Sequence, residues 1–104
     1  MPEIARRGDL TSGHDECRPV SIVTGSPTVF VDGLPVARVG DTCAPHACNR
    51  WPNPHPLHTP VIVSGDSSVL VNGLPVAVKG SKVSCFGTLS SVIIGGSPDV
   101  SVGG

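Results

Sequence analysis

The stretch GSPTVFVDGLPVARVGD, residues 25–41, recurs as GDSSVLVNGLPVAVKGS at residues 65–81. Two copies this alike in a chain of 104 residues mean a repeat architecture, and a repeat decides the fold before any other feature. The ends of the chain complete a third copy. GSPDVSVGG, residues 96–104, matches its first half and EIARRGD, residues 3–9, its second, so this copy is split between the termini.

Each copy reads as a short strand, a turn and a second short strand. Side chains alternate along a strand, so Val29 and Val31 fall on one face and Phe30 on the other. Val69 and Val71, with Leu70 opposite, repeat this, as do Val100 and Val102 with Ser101. The turns DGLP and NGLP put Asp32 or Asn72 before a glycine, the pair that supplies the positive φ of a tight hairpin. RPVSIVTG, TPVIVSG and SSVIIGG read as further strands, and helical periodicity is absent. The expected fold is all-β: a small single domain of short strands with pseudo-threefold repetition, spanning residues 1–104.

Composition narrows the function. The chain has 13 glycines, 11 prolines and only three aromatic residues, Phe30, Trp51 and Phe86, so its core is thin and needs a staple. The net charge of −1, with Lys and Arg dispersed, argues against nucleic acid, because phosphate binding needs concentrated cations. The start MPEIARRGDL carries charges where a secretory signal has an apolar run. No segment approaches the ~20 apolar residues of a membrane span. The expected product is made in the cytoplasm without a signal peptide, where cysteines serve as thiols or metal ligands more often than as disulfides.

The chemistry gathers in the connections after each GD or GS. From Gly8 six positions lead to His14, from Gly40 six lead to His46, and from Gly80 five lead to Cys85. Three equivalent loops thus place a metal-binding residue at nearly the same depth. The middle one, GDTCAPHACNRWPNPHPLH, residues 40–58, holds three of the four histidines and four prolines. It reads as a loop that is neither helix nor strand. Few backbone hydrogen bonds hold such a loop, and a metal can replace them. Imidazole and thiolate suit zinc, and four protein ligands make a closed, structural site. His14, His46, His58 and Cys85 are the expected ligands of one zinc ion. His55, between prolines, reads as a solvated residue; Cys43 comes too early in the register; Cys17 and Cys48 read as small hydrophobic residues or a disulfide. Asp9 and Asp41 read as turn caps, and Trp51 as an anchor packed on prolines.

LPVARVGD, LPVAVKGS and EIARRGD resemble the motif of the PAAR (proline-alanine-alanine-arginine) repeat family, and GSPTVFVDG, GDSSVLVNG and GSPDVSVGG resemble its companion repeat. The resemblance covers essentially the whole chain. The second copy departs from it, with Val78 in the arginine position and Ser81 in the aspartate position. The family implies a small β cone with zinc near its apex, forming the tip of a type VI secretion spike. The same resemblance implies a blunt base seated on a trimeric β-helical valine–glycine repeat spike protein, one copy per trimer, and passage through a membrane only by transient puncture. The protein would be exported on the spike into the target cell or medium, with effector proteins as further partners. Val29, Phe30, Val31, Val69, Leu70, Val71, Val100 and Val102 are the expected docking residues. No length remains for an effector extension and no catalytic constellation stands out, so no enzymatic activity is expected. Besides a disulfide-stapled binding module with a Cys17–Cys48 bond, two other readings stay open. One is the tip of a phage or phage-like contractile tail. The other is a small zinc hydrolase using His14, His46 and His58 with water in the fourth position, for which Asp15 and Glu16 are the nearby carboxylates.

Overall fold

The computed structural model describes residues 2–12, 19–48, 55–84 and 90–102, with the backbone alone for 46–48, 55–58 and 90. These residues form nine short strands and, among them, no helix. The strands are β1 (Phe30–Val31), β2 (Leu34–Pro35), β3 (His46–Cys48), β4 (His55–His58), β5 (Val61–Ile62), β6 (Asp66–Val71), β7 (Leu74–Val76), β8 (Lys82–Ser84) and β9 (Ser90–Val92). All pairings are antiparallel: β1 with β2, β3 with β4, β6 with β7, and β5–β8–β9 as a three-stranded sheet.

The three copies meet in a closed ring of backbone hydrogen bonds. The Ala5 N–H donates to the Ala77 carbonyl at 3.0 Å, Ala77 to Ala37 at 2.9 Å, and Ala37 to Ala5 at 3.0 Å. Isolated bridges close the same circle, joining Ile4 with Val78, Arg6 with Val36, and Arg38 with Val76. Arg7 donates to the Pro35 carbonyl, Val39 to Pro75 and Lys79 to Glu3, again in rotation. Each alanine is fully buried. Three backbones converge there, and a side chain longer than a methyl would have to displace a neighbouring strand. The split copy is genuine: Ile4 donates to Val100, Ser97 to Ile4 and Val102 to Pro2, so the two chain ends close one unit.

The core is stacked in threefold layers. One cluster joins the alanines to Ile22, Ile62 and Ile93 and to Cys43 and Val83. The Thr11, Cys43 and Val83 positions correspond, and all three are buried. The second cluster holds Ile4, Val36, Val71, Val76, Val78 and Val102, with Val31 against it. The hairpins therefore lie beyond the second cluster, and β3 and β4 follow from the first. Extents of 45 × 24 × 21 Å fit this symmetry, since a threefold object needs two nearly equal transverse dimensions.

Glycines sit where this geometry demands them. Gly8, Gly40 and Gly80 have φ of 99°, 97° and 93°, in equivalent turns closed by Asp9 donating to Arg6, Asp41 to Arg38 and Ser81 to Val78. The hairpin turns have positive φ at Asp32 and Gly33 (55° and 77°) and at Asn72 and Gly73 (54° and 80°), as the sequence implies.

Two expectations are corrected. The segment 40–58 is not all loop, since β3 pairs with β4 inside it, with a register shift between His46 and Cys48. The hairpin valines do not share one exposed face. Val29 and Val69 are exposed, whereas Val71 is buried and Val31 half-buried. For Val69 and Val71 the cause is an irregularity in β6, where Asp66 opposes Val76 but Leu70 opposes Pro75, which breaks simple alternation.

Candidate functional site

Two ends of the molecule carry the candidate functional residues. At the hairpin end, Val29, Phe30, Leu34, Val69, Leu70, Leu74 and Val100 are exposed; Phe30 and Leu70 reach 56% and 60% of full accessibility. They form an apolar face in which Val29, Val69 and Val100 recur in all three copies, whereas Phe30 with Leu70 and Leu34 with Leu74 recur in two, Ser101 standing at the third Phe30 position. Of the expected docking residues, Val29, Phe30, Val69, Leu70 and Val100 lie on it. Val71 and Val102 do not: they are 6% and 2% exposed and belong to the core, with Val31 packed beside them. Leu34 and Leu74, at the shared leucine position of DGLP and NGLP, are also exposed.

At the other end, the ladder of β3 and β4 sets His46 directly opposite His58, and Cys48 opposite His55. The backbone thus brings together two of the four expected zinc ligands. His14 and Cys85 lie outside the described residues, as do Cys17 and Trp51. Cys43 is not at this end but in the core, one layer from the alanine ring. Two histidines share one ladder position, and with the histidine and cysteine expected from neighbouring loops they would be a donor set suited to zinc.

Between the ends, arginine–aspartate latches bind the copies together. Asp9 accepts from the Arg6 backbone N–H at 2.7 Å, from Nε at 3.1 Å and from an Nη at 3.0 Å. That same Nη also donates to Gly96 O at 3.3 Å, and the other Arg6 Nη donates to Asp32 in the next copy's turn at 2.9 Å. Arg38 repeats the pattern with Asp41, the Asn72 side-chain oxygen at 3.0 Å and Gly25 O at 3.5 Å. The expected capping role of Asp9 and Asp41 is therefore what the geometry shows, and each guanidinium extends it to a second copy. In the third position Ser81 replaces the aspartate, and its hydroxyl accepts the Val78 N–H at 3.0 Å.

The electrostatics follow these contacts. Burial pushes the Asp41 carboxyl up, but hydrogen bonds from the Arg38 side chain, Thr24 and the Arg38 backbone outweigh it and hold the group below the usual carboxylate range. The Asp32 carboxyl is lowered, first by the Ser97 hydroxyl at 2.6 Å and then, despite some desolvation, by Asp99 and Arg6. Asp99 is raised by its hydrogen bond to Asp32 and by that residue's charge.

The described residues thus form a helix-free, all-β fold of three repeats in one chain, with an apolar hairpin end. The PAAR motif family model matches residues 3–49 and 52–104, and the chain belongs to the PAAR-motif family. That motif is associated with spike-tip proteins of type VI-like secretion systems. No curated protein matches the chain in sequence.

Proposed function

We propose that this protein is the structural tip of a type VI secretion spike, capping the end of a trimeric β-helical valine–glycine repeat protein. The observation that carries the reading is the alanine ring, because it gives one chain three equivalent faces around an axis. A trimer end offers three equivalent strand edges and an open apolar core, which need a cap to stay out of water. One chain with internal threefold symmetry satisfies all three at once. The exposed apolar residues of the hairpins supply the contact surface, with Phe30 and Leu70 the largest contributors.

The opposite end is the point. One structural zinc ion held by His14, His46, His58 and Cys85 would close it; the pairing of His46 with His58 supports that set over one with His55 beside His46. When bound, zinc supplies cross-linking, not a reactive water, because all four positions are protein ligands. The role is mechanical: the protein is made in the bacterial cytoplasm, leaves on the spike, meets the membrane during puncture and docks effectors on its sides. No enzymatic activity belongs to this role. Co-purification with the trimeric spike protein tests it. Capture of the trimer by the tagged chain is expected, and failure to capture it at micromolar concentrations would overturn the proposal.

A further inference from the structure

The threefold pattern is broken at one position, and a groove marks the break. Arg6 and Arg38 each lie along the surface of their own copy, between the turn aspartate and the carbonyl of Gly96 or Gly25. The corresponding residues of the remaining copy are Val78, Ser81 and Gly65. These three line a groove of about 420 Å³, together with Ser64, Asp66, Ser67 and Lys79. Its place in the repeat is that of the two guanidinium groups.

We infer that this groove receives the guanidinium of an arginine side chain supplied by a partner protein. Two copies of the same frame already hold that group, which identifies the occupant by its chemistry. In both, a planar fork meets a carboxylate and a backbone carbonyl. The groove keeps these elements in altered places. Gly65 provides the carbonyl equivalent to those of Gly25 and Gly96. Asp66 provides the carboxylate, moved from the Ser81 position to the one held by Ser26 and Ser97 in the other copies. Asp66 accepts from the backbone and hydroxyl of Ser68, which hold it in its charged form. The cation at the rim, Lys79, faces Glu3 at 3.8 Å, so its charge is partly answered. Gly65 has no freedom to become anything else. A Cβ there would lie 2.5 Å from the Val76 carbonyl oxygen, so the backbone edge of the groove is fixed.

The inference does not depend on which face meets the spike. Its test is a nuclear magnetic resonance titration of the whole chain with N-acetyl-arginine amide, using the lysine analogue as the comparison. Saturable shifts confined to the amides of Gly65, Asp66 and Val78–Ser81 are expected, several-fold weaker with lysine. Val78→Arg with Ser81→Asp should fill the groove from within and eliminate them. Asp66→Asn, which leaves the fold's core untouched, should weaken them several-fold and serves alone if the double variant does not fold. Absent shifts, equal shifts with lysine, or a response unchanged by Asp66→Asn would overturn the assignment.

Discussion

The Ala37 amide donates to the Ala5 carbonyl at 3.0 Å, although one alanine lies near the N-terminus and the other beyond the first hairpin. That bond, with its two rotational equivalents through Ala77, makes the chain threefold. Ala37→Leu should therefore act on all three copies. Added volume at a fully buried position costs about 1–3 kcal/mol. A drop in melting temperature by roughly 4–24 °C is expected for a domain of this size. Calorimetry of the variant checks it, and an unchanged melting temperature would remove the ring from its central place.

Acid should weaken the latches in a definite window. The folded Asp41 carboxyl titrates below its unfolded value, which is about 3.9. Its contribution is thus fully present above about pH 4 and is lost as pH falls through the lower, folded value. Asp41→Asn should cost about 1–3 kcal/mol at neutral pH. It should also flatten the acid dependence below about pH 4. Denaturant unfolding from neutral pH down into that acid range checks both; an acid dependence in the variant that runs parallel to that of the parent would contradict this sign.

Metal removal should act elsewhere and at higher pH. Zinc needs neutral imidazole and thiolate, so chelator or mild acid should strip it and lower the melting temperature. Elemental analysis should find about one zinc per chain. Cys85→Ala or His58→Ala should lose it, and His55→Ala should keep it. Retention in His58→Ala with loss in His55→Ala would exchange the two assignments. The Asp41 step should persist in the metal-free protein, which separates the two pH effects.

The apolar face should matter for assembly and not for folding. Phe30 and Leu70 are more than half exposed, so Phe30→Asp with Leu70→Asp should change stability by less than about 0.5 kcal/mol. Spike binding should weaken by at least about tenfold, as when a contact worth about 1.4 kcal/mol is lost. Pull-down and thermal unfolding of the same preparation check the pair of outcomes.

Much of this was legible in the sequence, because repeats report symmetry directly. The match between residues 25–41 and 65–81 implied the equivalence of Ala37 and Ala77, and EIARRGD added Ala5. The turns at Asp32 and Asn72 followed from the glycines after them, since positive φ has few other solutions. The pairing of β3 with β4 was hidden. Pro56 lies within β4 and lacks a donor, and the ladder carries a register shift, so neither alternation nor β-branched residues signalled a strand. The burial of Val71 was hidden too, because alternation assumes a regular strand, and in β6 the register is not regular; Val102 is buried outside any strand, where alternation does not apply. The open groove was half visible: Val78 and Ser81 depart from the motif on sight, but that the position stays unfilled needs the third dimension.

The central claim is that one chain imitates a trimer and caps one. Native mass spectrometry of the chain mixed in excess with the trimeric spike protein tests it most directly. The account predicts a single species with one copy of this chain per spike trimer. Three copies per trimer, one on each spike subunit, would contradict it.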